Sequence, residues 1–298
     1  MKKTLFTGCG VAIVTPFTED DKVNFEKLGE LIEFHIANST DAIIICGTTG
    51  EAPTLSDHEH LEAVKYTVEK TAGRIPVLAG TGSNDTRHCI EFSIYSEKVG
   101  ADGLLLVTPY YNKTTQKGLV EHFKAVAKKV NIPMILYNVP SRTGLNINPS
   151  TLKELSKVDN ITGIKEASGN IAQVAEMAAL CGDDIDLYSG NDDMIVPLLS
   201  LGGKGVISVV ANILPKDTHD IVAKYFQGDL QGSLELQLKM FNLIKALFIE
   251  VNPIPIKTAM NLLGFNVGGV RLPLTDMSDG NLNVLKKEMI SYGLTLKE

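Results

Sequence analysis

The sequence of 298 residues contains no tryptophan, and aromatic residues make up only 6% of it. Stacked-base platforms and aromatic sugar-binding clefts depend on such side chains, so both kinds of site are disfavoured. Positive charge is also scarce, because 28 lysines and arginines stand against 35 acidic residues and give a formal net charge of −7. A nucleic-acid-binding protein usually carries a basic stripe, and the sequence has none.

Long hydrophobic runs and paired cysteines are missing as well. The longest apolar stretches, such as residues 42–46, have the length of a strand and are too short to span a bilayer. The N-terminus begins with basic residues but lacks the apolar segment of an export signal. The cysteines Cys9, Cys46, Cys89 and Cys181 are scattered, without a C-x-x-C pair. We therefore expect a reduced, cytoplasmic protein with neither a membrane nor a nucleic acid as partner.

Apolar material is plentiful, and it is arranged in a repeating order. Hydrophobic residues make up 44% of the chain, which excludes disorder, collagen and coiled coil as descriptions of the whole. A short apolar run, a turn and a segment of helical period recur, and the runs are continuous, as in a parallel sheet covered on both faces. The predicted strands are 10–14, 42–46, 76–79, 103–107, 133–137, 161–165, 186–188 and 205–210, and the clearest predicted helices are 25–37, 56–71, 85–99, 116–130 and 171–180.

Eight strand–helix repeats predict a (β/α)8 TIM barrel. A doubly wound sheet would need a glycine-rich phosphate-binding fingerprint after an early strand, and Ile13 stands where the third glycine should be. The repeat ends near residue 228. We therefore divide the chain into a catalytic barrel at 1–228 and a C-terminal helical extension at 229–298, with predicted helices at 233–249, 256–263 and 279–292. The SDHE sequence at 56–59 predicts a capping box.

Active sites of such barrels lie at the C-terminal ends of the strands. Lys165 is the only lysine at such an end in this interpretation, whereas Lys204 precedes its strand. A lysine held in an apolar barrel mouth is pushed toward its neutral amine, the form that attacks carbonyl groups. Its position alone fits equally well a lysine whose ammonium group reaches solvent in the following loop.

Other strand ends carry polar side chains that would face the same mouth. The Tyr137 hydroxyl would lie near the Lys165 amine, and Thr48 and Thr49, in a glycine-flanked turn, would suit a carboxylate. Arg142 would bind an anionic substrate through two hydrogen bonds. Each residue alone also fits a structural role, namely rim packing, turn formation or a solvated charge. Their convergence on one face is what indicates an active site.

Metal and serine-hydrolase chemistry find little support in the sequence. The HEH sequence at 58–60 places its two imidazoles on different faces of a helix, beside an N-cap. There is no H-E-x-x-H, no acidic cluster at the strand ends and no G-x-S-x-G. We expect no metal site.

Three segments, GTTGE at 47–51, YNVPSRT at 137–143 and GIKEAS at 163–168, closely resemble the motifs of the dihydrodipicolinate synthase family. These are Schiff-base-forming, pyruvate-dependent aldolases, related to N-acetylneuraminate lyase. The likeness extends over essentially the whole chain, including NPIPIK at 252–257. It implies a TIM barrel that condenses pyruvate with L-aspartate 4-semialdehyde to 4-hydroxy-tetrahydrodipicolinate, in lysine and diaminopimelate biosynthesis. No metal or cofactor is implied beyond the covalent imine of pyruvate.

The resemblance also implies the catalytic residues. Lys165 forms the imine, and the enamine derived from it attacks the semialdehyde. Tyr137 donates and accepts protons around that step, in a relay completed by Thr48 and Tyr111. Because the second tyrosine comes from the adjacent subunit in the family, a homo-oligomer is implied, a tetramer built as a dimer of dimers.

The implied substrate-binding residues lie around this group. Thr49 and the backbone amides of its turn hold the pyruvate carboxylate, Gly190 and Ile207 line the pocket, and Arg142 receives the carboxylate of the semialdehyde. Arg142 also separates this activity from the sister aldolases, N-acetylneuraminate lyase and 2-keto-3-deoxy-sugar-acid aldolases, which typically lack an arginine there. Those sister enzymes are the alternative function. A metal-dependent lyase and a catalytically silent barrel are two further hypotheses.

The family's lysine feedback site is only partly matched. Sensitive members have histidine, serine and glutamate where this chain has Asp57, Ala52 and His88. Losing a carboxylate that would pair with the α-amino group of lysine removes a charge-assisted hydrogen bond of roughly 1.5–3 kcal/mol. We therefore expect weak or absent inhibition by lysine. The positions of this degenerate site are Ala52, Asp57, His60, Asn84, His88 and Tyr110.

Overall fold

The computed structural model describes residues 2–297, and its centre is a closed barrel of eight parallel strands. Each strand pairs with the next one along the chain, and β8 closes the barrel against β1. Almost every strand residue is buried, which explains why the apolar runs are continuous. The predicted TIM barrel is confirmed. The strands are β1 Gly8–Ala12, β2 Ala42–Ile45, β3 Val77–Gly80, β4 Gly103–Val107, β5 Met134–Asn138, β6 Ile161–Glu166, β7 Asp186–Ser189 and β8 Gly205–Ser208.

Helices cover the outside of the barrel, and three more follow it. The expected capping box is present at the start of α2, where the Ser56 side chain accepts from the Glu59 amide and Glu59 accepts from the Ser56 amide. The helices around the barrel are α1 Phe25–Ala37, α2 Asp57–Thr71, α3 Thr86–Lys98, α4 Gln116–Ala127, α5 Pro140–Thr143, α6 Pro149–Leu155, α7 Ile171–Cys181, α8 Ile195–Leu199 and α9 Pro215–Phe226; α10 Leu230–Leu247, α11 Ile254–Leu262 and α12 Asp279–Tyr292 follow.

Strand ends are where the sequence prediction was wrong. The first strand was expected at 10–14 and the eighth at 205–210, but both stop two residues earlier. The apolar run continues past each end, so hydropathy could not locate it. The amide of Val14 donates to the side chain of Asn212, and the amides of Val209 and Val210 donate to Oδ2 of Asp192. At these positions the backbone amides donate to side-chain oxygens instead of to a neighbouring strand.

The interior of the barrel is packed at its N-terminal end and open at the other. The Phe6 ring stacks on Tyr188 with ring centroids 4.5 Å apart, and the Tyr188 hydroxyl donates to the Phe6 carbonyl at 2.6 Å. Layers of aliphatic side chains lie above this plug, Ile44, Leu78 and Ile207 among them. The site must therefore lie at the C-terminal ends of the strands.

The last three helices bring a further segment to that end. Helix α10 packs against α9 and α12, and the residues after α10 turn back toward the barrel mouth. Helix α9 ends at Phe226 and α10 begins at Leu230. The division into a barrel at 1–228 and an extension at 229–298 stays a prediction. Within residues 2–297, no helix has the length and apolar character needed to cross a membrane.

Candidate active site

A cavity of about 540 Å³ opens at the C-terminal mouth of the barrel. Its walls come from several strand ends and from the segment after α10, so residues far apart in the sequence meet there. Six of the predicted site residues line it, namely Thr48, Thr49, Tyr137, Arg142, Lys165 and Gly190. The convergence expected from the sequence is therefore present in one chain.

Lys165 and Tyr137 lie side by side in this cavity. They are register partners on β6 and β5, and Nζ of Lys165 lies 4.3 Å from the centroid of the Tyr137 ring. Both residues are buried, with 5% and 7% of their surface exposed. Among residues 2–297, no carboxylate oxygen lies within 4.0 Å of this amine. The Lys165 amine is therefore not tied up in an ion pair and is available for covalent chemistry.

Gly190, just after β7, makes room for the lysine. A Cβ atom built at this glycine would lie 3.1 Å from Cε of Lys165 and 2.6 Å from Cβ of Ala167. The second distance is shorter than a carbon–carbon contact allows. Glycine at this position is therefore required by the close approach of Ala167, just after β6, and any larger residue would also press on the Lys165 side chain.

A hydrogen-bonded pair behind the cavity fixes the two strand ends. The Asn138 amide donates to Oε2 of Glu166 at 2.9 Å, and the Ser168 backbone amide donates to Oε1 of Glu166 at 2.7 Å. Asn138 and Glu166 directly follow Tyr137 and Lys165 in the sequence, so their side chains point to the opposite face of the strands. Neither residue was predicted to belong to the site, although both lie within the motifs at 137–143 and 163–168.

The predicted carboxylate-binding turn is held by a residue from the C-terminal region. The side chain of Asn252 donates from Nδ2 to Oγ1 of Thr49 at 3.0 Å. The backbone carbonyl oxygen of Asn252 accepts from Nη2 of Arg142 at 3.1 Å. Because the amide donates to it, the Thr49 hydroxyl keeps its own proton for a ligand. Asn252 is 5% exposed and lines the cavity. The sequence analysis noted its motif but gave it no role.

Arg142 stands at the rim of the cavity, on the short helix α5. It is exposed, and among the described residues no carboxylate lies within 4.0 Å of its guanidinium group. Its one protein partner is the neutral Asn252 carbonyl. The remaining N–H groups are thus available to an anion.

Comparison with known proteins agrees with this geometry. The model of the Dihydrodipicolinate synthetase family matches residues 5–291. A 4-hydroxy-tetrahydrodipicolinate synthase from Caldicellulosiruptor saccharolyticus is 62% identical over 294 residues, covering 99% of each chain. The chain belongs to the dihydrodipicolinate synthetase family.

Solved structures of dihydrodipicolinate synthases are also similar over nearly the full length. The enzyme from Aquifex aeolicus has a TM-score of 0.96 and 46% identity, covering 98% of this chain and 100% of the other. A variant described as the first monomeric dihydrodipicolinate synthase has a TM-score of 0.95 and 41% identity, covering 98% of both chains. This family member is therefore an enzyme, a lyase of the class I aldolase type, and the resemblance drawn from the motifs is confirmed.

Two site residues that the family resemblance implied do not line this cavity. Tyr111 is 91% exposed and has a φ of 67°, so its side chain projects from the surface of its own chain. Ile207 is fully buried in the barrel interior, in the same cluster of buried side chains as Tyr137. Within one chain, the structure brings neither side chain into the cavity at the mouth.

A second cavity, of about 290 Å³, borders the first and shares Thr48, Tyr137 and Arg142 with it. Of the feedback-site positions, it is lined by Ala52, His60, His88 and Tyr110. Asp57 lies outside the lining, and its Oδ1 atom is 3.3 Å from Nε2 of His88. Asn84 lies outside too, and its carbonyl oxygen accepts from Asn112.

Within residues 2–297, no group of three or more His, Cys, Asp or Glu side chains is arranged so that it could hold a metal ion. His58 is exposed beside Glu62, whereas His60 is buried with Nε2 at 2.9 Å from the Gly80 carbonyl. Burial lowers the pKa of His60 to about 4, so its imidazole is neutral at pH 7.

Proposed function

We propose that this member of the family is a 4-hydroxy-tetrahydrodipicolinate synthase, which condenses pyruvate with L-aspartate 4-semialdehyde through an imine on Lys165. The observation that carries the proposal is the arrangement around that lysine. Among residues 2–297, no carboxylate lies within 4.0 Å of this buried amine, which lies beside a phenol and shares its cavity with two groups suited to carboxylates, Thr49 and Arg142. The lysine and diaminopimelate pathways follow from the activity of the relatives.

Pyruvate binds first in this scheme. The Lys165 amine attacks the C2 carbonyl of pyruvate, and loss of water leaves the imine. The pyruvate carboxylate accepts from the Thr49 hydroxyl, whose proton is free because Asn252 donates to its oxygen, and from the backbone amides of the turn. Loss of a C3 proton then gives the enamine. No metal or other cofactor takes part.

Proton transfer belongs to Tyr137, whose ring lies against the Lys165 amine. Thr48 lines both cavities beside it and is the next member of the relay. Tyr111 would complete the relay in the site of a second copy of the chain. Its 91% exposure supports this role, because a side chain that projects from its own chain is able to enter another.

The semialdehyde enters over the rim. Its aldehyde carbon is attacked by C3 of the enamine while its carboxylate pairs with Arg142. Gly190 leaves space beside the lysine, and Ile207 belongs to the buried cluster that packs around Tyr137. The α-amino group of the bound semialdehyde then attacks the imine carbon, which closes the ring as a cyclic imine and releases the Lys165 amine as the leaving group.

Borohydride reduction tests the central step. With pyruvate present, reduction should fix a pyruvate-derived mass on the peptide that contains Lys165, and on no other lysine peptide. Reduction without pyruvate is the control. An adduct on another lysine, or none, would overturn the mechanism.

The sister activity is tested by substrate choice. An N-acetylneuraminate lyase or a keto-deoxy-sugar-acid aldolase acts on polyhydroxylated substrates, for which a free guanidinium at the rim offers no advantage. We expect turnover with aspartate semialdehyde and none with N-acetylneuraminate. The reverse result would establish the alternative.

The resemblance to the family also bears on inhibition by lysine and on oligomeric assembly. The position that would supply a carboxylate to lysine is His88, and Oδ1 of Asp57 lies 3.3 Å from its Nε2. We therefore expect that millimolar lysine leaves the rate nearly unchanged. A tetramer, built as a dimer of dimers, would supply Tyr111 between chains, and sedimentation analysis measures it directly.

A further inference from the structure

A second lysine, Lys257 on α11, is buried deep beside the barrel mouth. Its Nζ lies 2.9 Å from Oε1 of Glu51, and the two side chains are only 2% and 1% exposed. Nζ also donates to the Thr15 carbonyl at 3.0 Å and lies 4.2 Å from the centroid of the Phe17 ring. The pair is thus hydrogen-bonded and almost completely removed from water.

Such a pair is a poor way to gain stability. Taking two charges out of water costs nearly as much as their attraction returns, and apolar residues of similar size often serve as well. Burial lowers the pKa of Lys257, and the negative charge of Glu51 opposes that change. The pair is therefore better explained by what it holds in place than by the stability that it adds.

What it holds is the turn that carries Thr48 and Thr49. Glu51 ends that turn in a left-handed conformation, with a φ of 54°, and its amide donates to the Thr48 carbonyl at 3.1 Å. Thr15, whose carbonyl binds Lys257, donates from Oγ1 to the Gly50 carbonyl at 2.6 Å. Lys257 thus fixes the turn through the Glu51 carboxylate and through Thr15.

A second set of contacts attaches the C-terminal region to the barrel mainly outside the turn. Its one link toward the turn is indirect, because Nη1 of Arg271 donates to the Thr54 carbonyl at 2.9 Å and Oγ1 of Thr54 donates to the Glu51 carbonyl at 3.0 Å. The Arg271 guanidinium binds Glu59 at 2.6 Å and Asp21 at 3.1 Å, and it also lies over the Phe17 ring. Only its backbone amide contacts Glu51. A substitution of the Arg271 side chain therefore weakens the attachment and leaves the Lys257–Glu51 contact in place.

We propose that Lys257 and Glu51 are a positioning pair for the proposed reaction, which sets the Thr48–Thr49 turn at the geometry that binds the pyruvate carboxylate. Neither residue touches a reacting atom; both act through Thr49. The inference rests on the proposed function, because it assumes that this turn binds pyruvate.

The test separates binding from stability in the full-length protein. For Lys257→Met we expect the KM for pyruvate to rise roughly tenfold or more, since small displacements of a binding group are costly. The KM for aspartate semialdehyde should change less than about threefold, because Arg142 is held by Asn252. The unfolding temperature should fall, because Glu51 is left buried and unpaired.

The double variant Glu51→Gln with Lys257→Met decides the matter. It leaves no unpaired buried charge, so its unfolding temperature should recover toward the parent value while its KM for pyruvate stays high. If KM recovers together with the unfolding temperature, the pair is merely structural and the inference is wrong. This variant also serves alone if Lys257→Met does not fold.

The matched control is Arg271→Met, which also replaces a cation that lies over Phe17 with methionine. It should lower the unfolding temperature and raise the KM for pyruvate much less than Lys257→Met does, because its side chain reaches Glu51 only through Thr54. An equal rise in KM would overturn the inference. Borohydride trapping at Lys165 keeps the two proposals distinct. No adduct in the parent protein would refute the proposed function, whereas an adduct formed at the same half-saturating pyruvate concentration in parent and Lys257 variants would refute only the positioning role.

Discussion

Lys165 and Lys257 are buried to a similar degree, with 5% and 1% of their surface exposed, but their surroundings differ. Lys257 is held by a carboxylate and a carbonyl at hydrogen-bonding distance. Lys165 lies against an aromatic ring, and among residues 2–297 no carboxylate lies within 4.0 Å of its amine. A buried amine whose N–H groups are hydrogen-bonded to acceptors serves the structure, whereas a buried amine without such acceptors is free to react. The partners of a lysine, rather than its burial, therefore indicate its role.

The sharpest test of this contrast is the same substitution at both lysines. Lys165→Met should lower kcat/KM by at least about 10³-fold, because the nucleophile is lost. Its unfolding temperature should hold or rise, since an unpaired buried amine gives way to an apolar side chain. Lys257→Met should instead keep kcat, raise the KM for pyruvate as stated above and reduce the unfolding temperature. A Lys165→Met protein with near-normal turnover would contradict the contrast.

The second test removes the free cation at the mouth. Arg142→Gln should raise the KM for aspartate semialdehyde by roughly 30-fold, as expected for the loss of charge-assisted hydrogen bonds. The yield of the borohydride adduct with pyruvate should be unchanged. If pyruvate trapping fell equally, Arg142 would belong to the first substrate and the assignment of the two carboxylates would be wrong.

The third test moves Lys165 without removing it. Gly190→Ala places a methyl group 3.1 Å from Cε of Lys165 and 2.6 Å from Cβ of Ala167, so the lysine must shift. We expect kcat/KM to fall by roughly tenfold or more. Gly280→Ala on α12 is the matched control, since a Cβ there meets open space. Equal rates in the two variants would show that the lysine tolerates displacement.

The smallest expected effect concerns the attachment of the C-terminal region. The Arg271 guanidinium lowers the pKa of Glu59 to about 2, from an ordinary value of 4.5. A carboxyl group with a lowered pKa in the folded state contributes stability above pH about 4.5, and that contribution is lost as the pH falls toward 2. Glu59→Gln should flatten the fall in unfolding temperature over this range, measured by calorimetry. An unchanged pH profile would show that the pair contributes nothing.

Most of the fold was predictable because the strands of a parallel barrel are buried on both faces and therefore appear in the sequence as continuous apolar runs. Helices α1 and α12 were predicted with the bounds they have, Phe25–Ala37 and Asp279–Tyr292. The ends of β1 and β8 were not, because Val14 and Val209 are as apolar as the strands. Only the contacts of their amides with Asn212 and Asp192 show that the sheet has ended.

The site divides in the same way. The meeting of Lys165, Tyr137, Thr48, Thr49 and Arg142 in one cavity was predictable because strand ends in a barrel converge and because their motifs are specific. Their roles stay predictions. The contact of Asn252 with Thr49 joins residues 203 positions apart, and no local sequence pattern predicts this contact. Tyr111 and Ile207 were assigned from the family alone, and one chain does not bring them into the cavity.

The sequence by itself determined the barrel, the end of the barrel that carries the candidate site and the side chains that stand there. Those features depend on hydrophobic period and on local motifs, which are short-range. Tertiary structure alone decided which buried lysine is paired and which is free, because an ion pair depends on which charge the fold brings within hydrogen-bonding distance. For Lys257 that partner is Glu51, 206 positions away along the chain.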